Sequence, residues 1–204
     1  VDLTTYSANL DLFYILNTER DLIASYRVRH GDTSANSSYF DHAFTVGVNG
    51  RIISKLSGNL RLGYQIRQPS KGGGPSNSAI TASSTATWAL SRKMNVVLSL
   101  AKDFSTTSTN ITVDSTTADM NFQYALNSKL VSFAGLGYGM NRFLGAVGAG
   151  REDQYFTWNI GAHYTLFAEH LKLAFTYTYF QNWSSLAYST FQRNSFNLTA
   201  TSQF

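Results

Sequence analysis

The chain has 204 residues, a formal net charge of +4 and little charge overall, since only 14% of its residues are Asp, Glu, Lys or Arg, against about 25% in ordinary soluble domains. Aromatic residues also reach 14% and cysteine is absent. The composition therefore excludes a disulfide framework and a thiolate metal site. A helical membrane protein is excluded as well, because no apolar run approaches the roughly 18 residues that a spanning helix needs.

Eleven segments of the sequence alternate apolar and polar residues with the period of a β-strand. In the first, Leu10 and Leu12 share one face, whereas Asn9 and Asp11 share the other. The apolar faces of the eleven segments begin, in chain order, at Tyr6, Leu22, Phe44, Leu60, Ala82, Val96, Ala118, Ala134, Phe156, Leu171 and Phe196. The eighth segment places three glycines, Gly135, Gly137 and Gly139, on its inward face, where we expect them to thin the wall or allow a sharp bend.

Short turns alternate with longer polar connections between these segments. The turns lie at 16–20, 53–56, 90–94, 126–130 and 167–171 and recur every 36 to 41 residues. The longer connections are predicted at 31–38, 69–77, 105–110, 144–152 and 184–190. Outer-membrane barrels show this alternation, with the short turns in the periplasm and the long loops outside the cell.

The sequence therefore predicts an all-β, antiparallel up-and-down transmembrane β-barrel that occupies residues 1–204 as a single domain in the bacterial outer membrane. A soluble solenoid or sandwich is the alternative, and the apolar residues on nearly every outward face argue against it. Aromatic residues near both ends of the outward faces would lie at the lipid headgroups. They are Tyr14, Trp88, Tyr124 and Tyr164 at the turn end and Phe104, Phe156, Tyr179 and Trp183 at the loop end.

The number of predicted strands has a consequence for topology. Bacterial single-chain barrels have even strand numbers and both termini in the periplasm. With Phe204 in the periplasm, an eleven-stranded count places Val1 at the extracellular rim. We therefore expect at least one strand to precede Val1 and the intact barrel to have 12 or more strands. The alternatives are a strand overlooked within 76–90 or 110–125, or a barrel assembled from several chains.

The chain contains no constellation of residues typical of an enzyme. His163 is predicted to face the lumen with Thr165, an arrangement that has a faint likeness to outer-membrane lipid hydrolases, but no orienting acid accompanies it. His30, His42 and His170 lie near strand ends or in a turn. The sequence predicts no catalytic residue, no metal site and no cofactor. No nucleic acid is expected as a partner, because the basic residues are spread over many strands.

Charged residues are concentrated on the predicted inward faces. The lumen-facing candidates are Asp11, Arg27, Arg29, Arg51, Arg61, Arg67, Asp119, His163 and Lys172, with Asp41 and Asp103 as further acids. One interpretation is a network of charge pairs that braces the wall. The other is a basic stripe on the second to fourth strands that attracts anions, as rings of charge do in selective pores.

Several short motifs resemble bacterial outer-membrane β-barrels, in particular the porin-type barrels associated with exopolysaccharide production. These motifs are the Leu-(Asn/Ser)-x-Lys-Leu turns, the repeated Leu-Gly-Tyr at 62–64 and 136–138, and the terminal Phe204. The resemblance implies a barrel that passes small solutes or a polysaccharide, or alternatively a non-conducting scaffold in an envelope complex. It also implies outer-membrane lipid, envelope or export components and the barrel assembly machinery as partners, with Phe204 as the assembly signal.

Overall fold

The computed structural model describes residues 2–34, 37–71, 75–107, 111–144, 150–166 and 171–202. These residues form eleven strands, with one short 3-10 helix at Ala187–Ser189 before the last. The strands are β1 (Leu3–Asn17), β2 (Arg20–Thr33), β3 (Ser37–Ile53), β4 (Leu56–Lys71), β5 (Asn77–Ser91), β6 (Met94–Thr106), β7 (Thr112–Ala125), β8 (Leu130–Leu144), β9 (Glu152–Leu166), β10 (Leu171–Ser184) and β11 (Phe191–Ser202). No helix among the described residues is long and apolar enough to cross a membrane.

The strands form one antiparallel sheet in which every strand pairs with its neighbours in sequence, from β1 to β11. The predicted all-β, up-and-down fold with eleven strands is confirmed. Within the described residues β1 and β11 are the two edges of this sheet and do not pair with each other. Asparagine side chains close two of the short turns: Asn17 Oδ1 accepts from the Glu19 N–H at 2.9 Å, and Asn127 Oδ1 accepts from the Leu130 N–H at 2.8 Å.

Several long connections are shorter than the sequence predicted, because the strands continue past their apolar stretches. The loop predicted at 31–38 is reduced to a link between Thr33 and Ser37, and β4 runs through Pro69 to Lys71. Pro69 is tolerated in a strand because β5 pairs with β4 only as far as Arg67, so no ladder bond to β5 is lost there. The strands have 12 to 17 residues, which exceeds the roughly 9 to 11 needed to cross a bilayer.

Neighbouring strands place their apolar residues on the same face of the sheet. Leu62 lies on the same face as Val46 and Ala82, its partners on the neighbouring strands. Leu62 is 49% exposed, and large apolar residues such as Phe44, Leu100, Leu136 and Leu198 are exposed on the same face of other strands. A sheet whose exposed face is this apolar is suited to contact lipid.

The opposite face is concave. Arg27 on β2 and Asp103 on β6 are four strands apart, which would separate them by about 19 Å in a flat sheet. Their side chains are nevertheless joined by an ion pair of 2.8 Å. The first six strands therefore curl toward the face that carries these charges.

Three glycines on the concave face lie under aromatic rings of the facing strand. Gly31 is paired with Tyr39, Gly139 with Tyr155 and Gly161 with Phe133. A Cβ atom at any of the three would overlap the ring opposite. The remaining glycines of β8, Gly135 and Gly137, are instead covered by polar side chains, and a Cβ atom on Gly137 would lie 2.7 Å from Asp119 Oδ1. Close approach of neighbouring side chains explains why glycine occurs there.

Candidate functional site

Three adjacent strands bring the central charges of the concave face together. The register pairs Arg29 on β2 with Asp41 on β3, and Asp41 in turn with Arg67 on β4. Because these three residues are direct neighbours across the strands, their side chains project from the same face at the same height. The alternation of the sequence and the pairing register together produce this cluster.

Asp41 is the centre of the cluster. Arg67 donates to it from both Nε, at 2.6 Å, and Nη2, at 2.7 Å, and Arg29 donates to it from Nε at 2.8 Å. The Asp41 and Arg67 side chains are 0% and 1% exposed. Two guanidinium groups therefore share one carboxylate in a buried setting, and the Coulomb attraction within the cluster is screened little by solvent. The Arg67 guanidinium also lies 4.0 Å from the centroid of the Tyr39 ring.

The loop end of β6 and β7 folds onto this cluster. Pairing of β5 with β6 stops at Ala82 and Lys102, although both strands continue beyond that point. The hydroxyl of Thr81 donates to the Lys102 carbonyl at 2.9 Å where the ladder ends. Residues 103–106 and 112–115 still pair with each other, and we call this segment the inward hairpin.

Arg67 and Arg29 hold the inward hairpin in place. Arg67 Nη1 donates to the Ser105 carbonyl at 3.0 Å and to the Thr106 hydroxyl at 2.8 Å, and Arg29 Nη2 donates to the Phe104 carbonyl at 2.8 Å. The prediction that Phe104 is an outward aromatic at the membrane interface is therefore wrong. Its side chain is 1% exposed and packs over Arg67, because β6 separates from β5 before it reaches Phe104, although it stays paired with β7.

A polar cavity lies next to the inward hairpin, on the concave face of β1 to β6. Its volume is about 340 Å³, and its lining includes Asp11, Arg27, Thr45, Arg61, Ser83 and Asp103. Arg61 Nη1 donates to Asp11 Oδ1 at 3.2 Å and to the Ser25 hydroxyl at 3.1 Å. Arg27 Nη2 donates to Asp103 Oδ1 at 2.8 Å. Asp103 thus belongs both to the cavity wall and to the hairpin.

The other predicted lumen residues lie outside the cluster. Arg51 is at the turn end, where Nη1 donates to Glu19 at 2.7 Å and the side chain is largely exposed. Asp119 lies beside Gly137 on β7 and β8, and His163 on β9 is 6.4 Å from the Phe133 ring, measured between centroids. Lys172 is paired with Thr165 and Thr201. The proposed assembly signal, Phe204, is outside the described residues.

The ion pairs of the arginines on β2 to β4 help to decide between a bracing network and an anion-attracting basic stripe. All five arginines of β2 to β4 that the sequence singled out have an acidic partner: Arg27 pairs with Asp103, Arg29 and Arg67 with Asp41, Arg51 with Glu19, and Arg61 with Asp11. This arrangement favours a bracing network over a row of free positive charges.

Sequence reasoning missed Gln65, Tyr39 and the hairpin residues. Gln65 is fully buried between the cluster and the hairpin, with its side-chain amide against Asp103. One signal in the sequence points to this arrangement: the outward positions of β6 and β7 change from apolar residues to Lys102 and Asp114 before the strands end. These two side chains form an ion pair of 2.7 Å.

The histidines do not converge on a metal site. His42 Nδ1 is hydrogen-bonded to the Tyr26 hydroxyl at 2.8 Å, and His30 stacks on Phe40 with 4.4 Å between ring centroids. Both lie on the apolar face of the sheet. No group of three or more potential metal ligands occurs in the part of the chain that the structure describes. His170 lies outside that part.

A second set of contacts joins the loop ends of β8, β9 and β10. Arg151 Nη2 donates to Asp153 Oδ2 at 2.6 Å, and the Arg151 guanidinium lies 4.2 Å from the centroid of the Phe143 ring. The hydrogen bond to Asp153 raises the pKa of Arg151 above its usual value. The Ser184 hydroxyl donates to the same carboxylate at 2.5 Å. These contacts tie the ends of β9 and β10 together outside the cavity.

An antiparallel sheet with an apolar exposed face and a charged concave face defines an outer-membrane β-barrel. The sequence profile of the family described as "Putative beta-barrel porin 2" matches residues 1–113 and 101–204. The chain belongs to this family, and its location is the bacterial outer membrane. No curated protein matches the sequence significantly.

Solved structures of outer-membrane proteins share the fold. The FrpB iron transporter from Neisseria meningitidis (F3-3 variant) has a TM-score of 0.68 and 10% identity, over 99% of this chain and 40% of that chain. OmpTdeltaL8, a loop deletion mutant of an outer membrane protein of Vibrio cholerae, has a TM-score of 0.53 and 10% identity, over 95% and 89% of the two chains. The chain thus spans about 40% of the length of the transporter that it resembles.

Proposed function

We propose that the protein is an outer-membrane channel that passes small polar solutes along its concave face. The observation that carries the proposal is the contrast between the two faces: the exposed face is apolar, whereas the concave face contains an open polar cavity of about 340 Å³. A polar interior within an apolar outer band is the arrangement of water-filled barrels. A polysaccharide strand is a larger solute that could pass along the same concave face.

A second candidate function, a non-conducting scaffold in the envelope, is favoured by the inward hairpin. The hairpin covers the concave face of β2 to β4 and is fixed by Arg67 and Arg29. A lumen filled in this way leaves less room for solutes. The envelope or export components expected as partners would then be the proteins that the scaffold holds.

Electrical recordings separate the two functions. Protein purified from outer membranes and reconstituted in planar bilayers should give discrete conductance steps if it is a channel. The ratio of anion to cation permeability should be close to that of the bulk ions, because the arginines of β2 to β4 are paired with acids. The absence of conductance steps after reconstitution of correctly folded protein would favour the scaffold.

A pair of variants tests whether ions use the concave face. Arg61→Gln removes a cation from the cavity wall and leaves Asp11 without its partner, so the channel should become more cation-selective. Arg51→Gln removes the same charge from an exposed pair with Glu19 at the turn end and should change selectivity less. Equal effects of the two substitutions would argue against a path along the cavity.

A further inference from the structure

The charges that line the cavity on the concave face are paired. Arg27 is paired with Asp103 at 2.8 Å and Arg61 with Asp11 at 3.2 Å, and Asp103 lies in addition 3.6 Å from Arg29. Lys102 also borders the cavity, but its ammonium group is bound by Asp114 at 2.7 Å. A charged solute that entered would find no opposite charge that is unpaired, and would have to compete with an existing ion pair. This pairing therefore favours a neutral occupant.

The cavity nevertheless offers many hydrogen-bonding groups at close range. Carboxylate oxygens of Asp11 and Asp103 accept hydrogen bonds, and the hydroxyls of Thr45 and Ser83 donate and accept them. Arg27 adds a donor without a partner: its Nε is buried and has no hydrogen-bond partner within the described residues. A buried donor without a partner is costly, and a shift of the Arg27 side chain, which is 30% exposed, would let an oxygen atom of a bound solute satisfy it.

We propose that this cavity is a binding site for a neutral, polyhydroxylated solute of about the size of a monosaccharide. Each hydroxyl of such a molecule both donates and accepts, as the mixed lining of carboxylates, guanidinium groups and hydroxyls requires. One hydroxyl oxygen accepts from Arg27 Nε, and other hydroxyls donate to Asp11 and Asp103. The inference rests on the proposed channel function and names the class of solute that the channel would select.

Calorimetry in detergent solution tests the site without a requirement for transport. The probes are glucose, glucuronate and glucosamine, which share the pyranose ring and are neutral, anionic and cationic at neutral pH. Glucose should bind at least tenfold more tightly than either charged analogue. Glucuronate binding as tightly as glucose would overturn the inference, because it would show that the arginines act as free cations.

Arg27→Lys isolates the contribution of the unpaired donor. Lysine keeps a positive charge for Asp103 but has no Nε–H, so the dissociation constant for glucose should rise about five- to tenfold, the effect of losing one hydrogen bond. Arg51→Lys makes the same change outside the cavity and should leave glucose binding unaltered. If Arg27→Lys fails to fold, Ser83→Ala, which removes one hydroxyl from the lining, should weaken glucose binding in its place. Unchanged glucose affinity in the folded cavity variant would overturn the proposed site.

The two proposals fail in different ways. Conductance without glucose binding would overturn the binding site and leave the channel standing. Glucose binding without conductance would support the site and overturn the channel, with the barrel acting as a receptor for the solute.

Discussion

Arg67 donates two hydrogen bonds to Asp41, of 2.6 and 2.7 Å, and neither side chain is more than 1% exposed. The same guanidinium group reaches Ser105 and Thr106 on the inward hairpin. Arg67 of β4 thus links the sheet to the inward hairpin, which covers part of the concave face.

Replacement of Asp41 by asparagine should destabilise the barrel strongly. Asp41→Asn would leave the buried Arg67 guanidinium without a counter-charge and Arg29 with only Asp103, 3.6 Å away, and breaking a buried pair in this way typically costs about 3 to 5 kcal/mol. Asp11→Asn is the matched control, since its pair with Arg61 is about one-third exposed and should contribute less than about 1 kcal/mol. Urea unfolding in detergent micelles measures both. Equal loss of stability in the two variants would contradict the assignment of Asp41 as the centre of the cluster.

The two faces of β4 should respond differently to a change of charge. Leu62 is exposed on the apolar face, and a charge at the bilayer midplane costs about 2 to 4 kcal/mol. Leu62→Arg should therefore impair folding into lipid vesicles more than Arg61→Leu does. Folding yields in vesicles measure the difference. If the two variants folded equally well, the assignment of the lipid-facing side of β4 would be wrong.

The orientation in the membrane can be tested with single cysteines. Tyr188, in the connection between β10 and β11, is 85% exposed, and Ser128 lies in the turn between β7 and β8. Tyr188→Cys should react with an impermeant reagent on intact cells, whereas Ser128→Cys should react only after the outer membrane is permeabilised. The sequence has no cysteine, so no other position of this chain is labelled. The reverse pattern would invert the predicted topology.

Phe104 should be the residue that keeps the inward hairpin docked. Phe104→Ala removes a ring that is 1% exposed and packs over Arg67, with a cost of about 3 to 5 kcal/mol typical of a buried phenylalanine. Hydrogen exchange should then accelerate in residues 103–106 and remain slow in β8. Phe44→Ala, on the exposed apolar face, is the control and should leave exchange in the hairpin unchanged. Exchange that stayed slow in Phe104→Ala would show that the polar contacts of Arg67 and Arg29 are enough to hold the segment.

The sequence predicted the strands and their faces well because both depend on local alternation. Leu62 and Arg61 are adjacent, and no knowledge of other strands is needed to place them on opposite faces. The same alternation could not place Phe104, because it indicates a side of the strand and not whether β6 stays paired with β5. Nor could it identify the pair of Arg27 with Asp103, which are 76 residues apart. Contacts of that kind depend on curvature, which is a property of the whole sheet.

The aromatic rings over the inward glycines bear on how the wall resists water. Tyr39, Tyr155 and Phe133 each cover a partner residue that has no side chain of its own. Without these rings, the backbone beside Gly31, Gly139 and Gly161 would be open to water on the concave side. The rings shield the interstrand hydrogen bonds from water. Local breaking of these hydrogen bonds should therefore be rarest beside the rings. The interior of such a barrel can therefore be hydrated without water weakening the interstrand hydrogen bonds beside these three glycines.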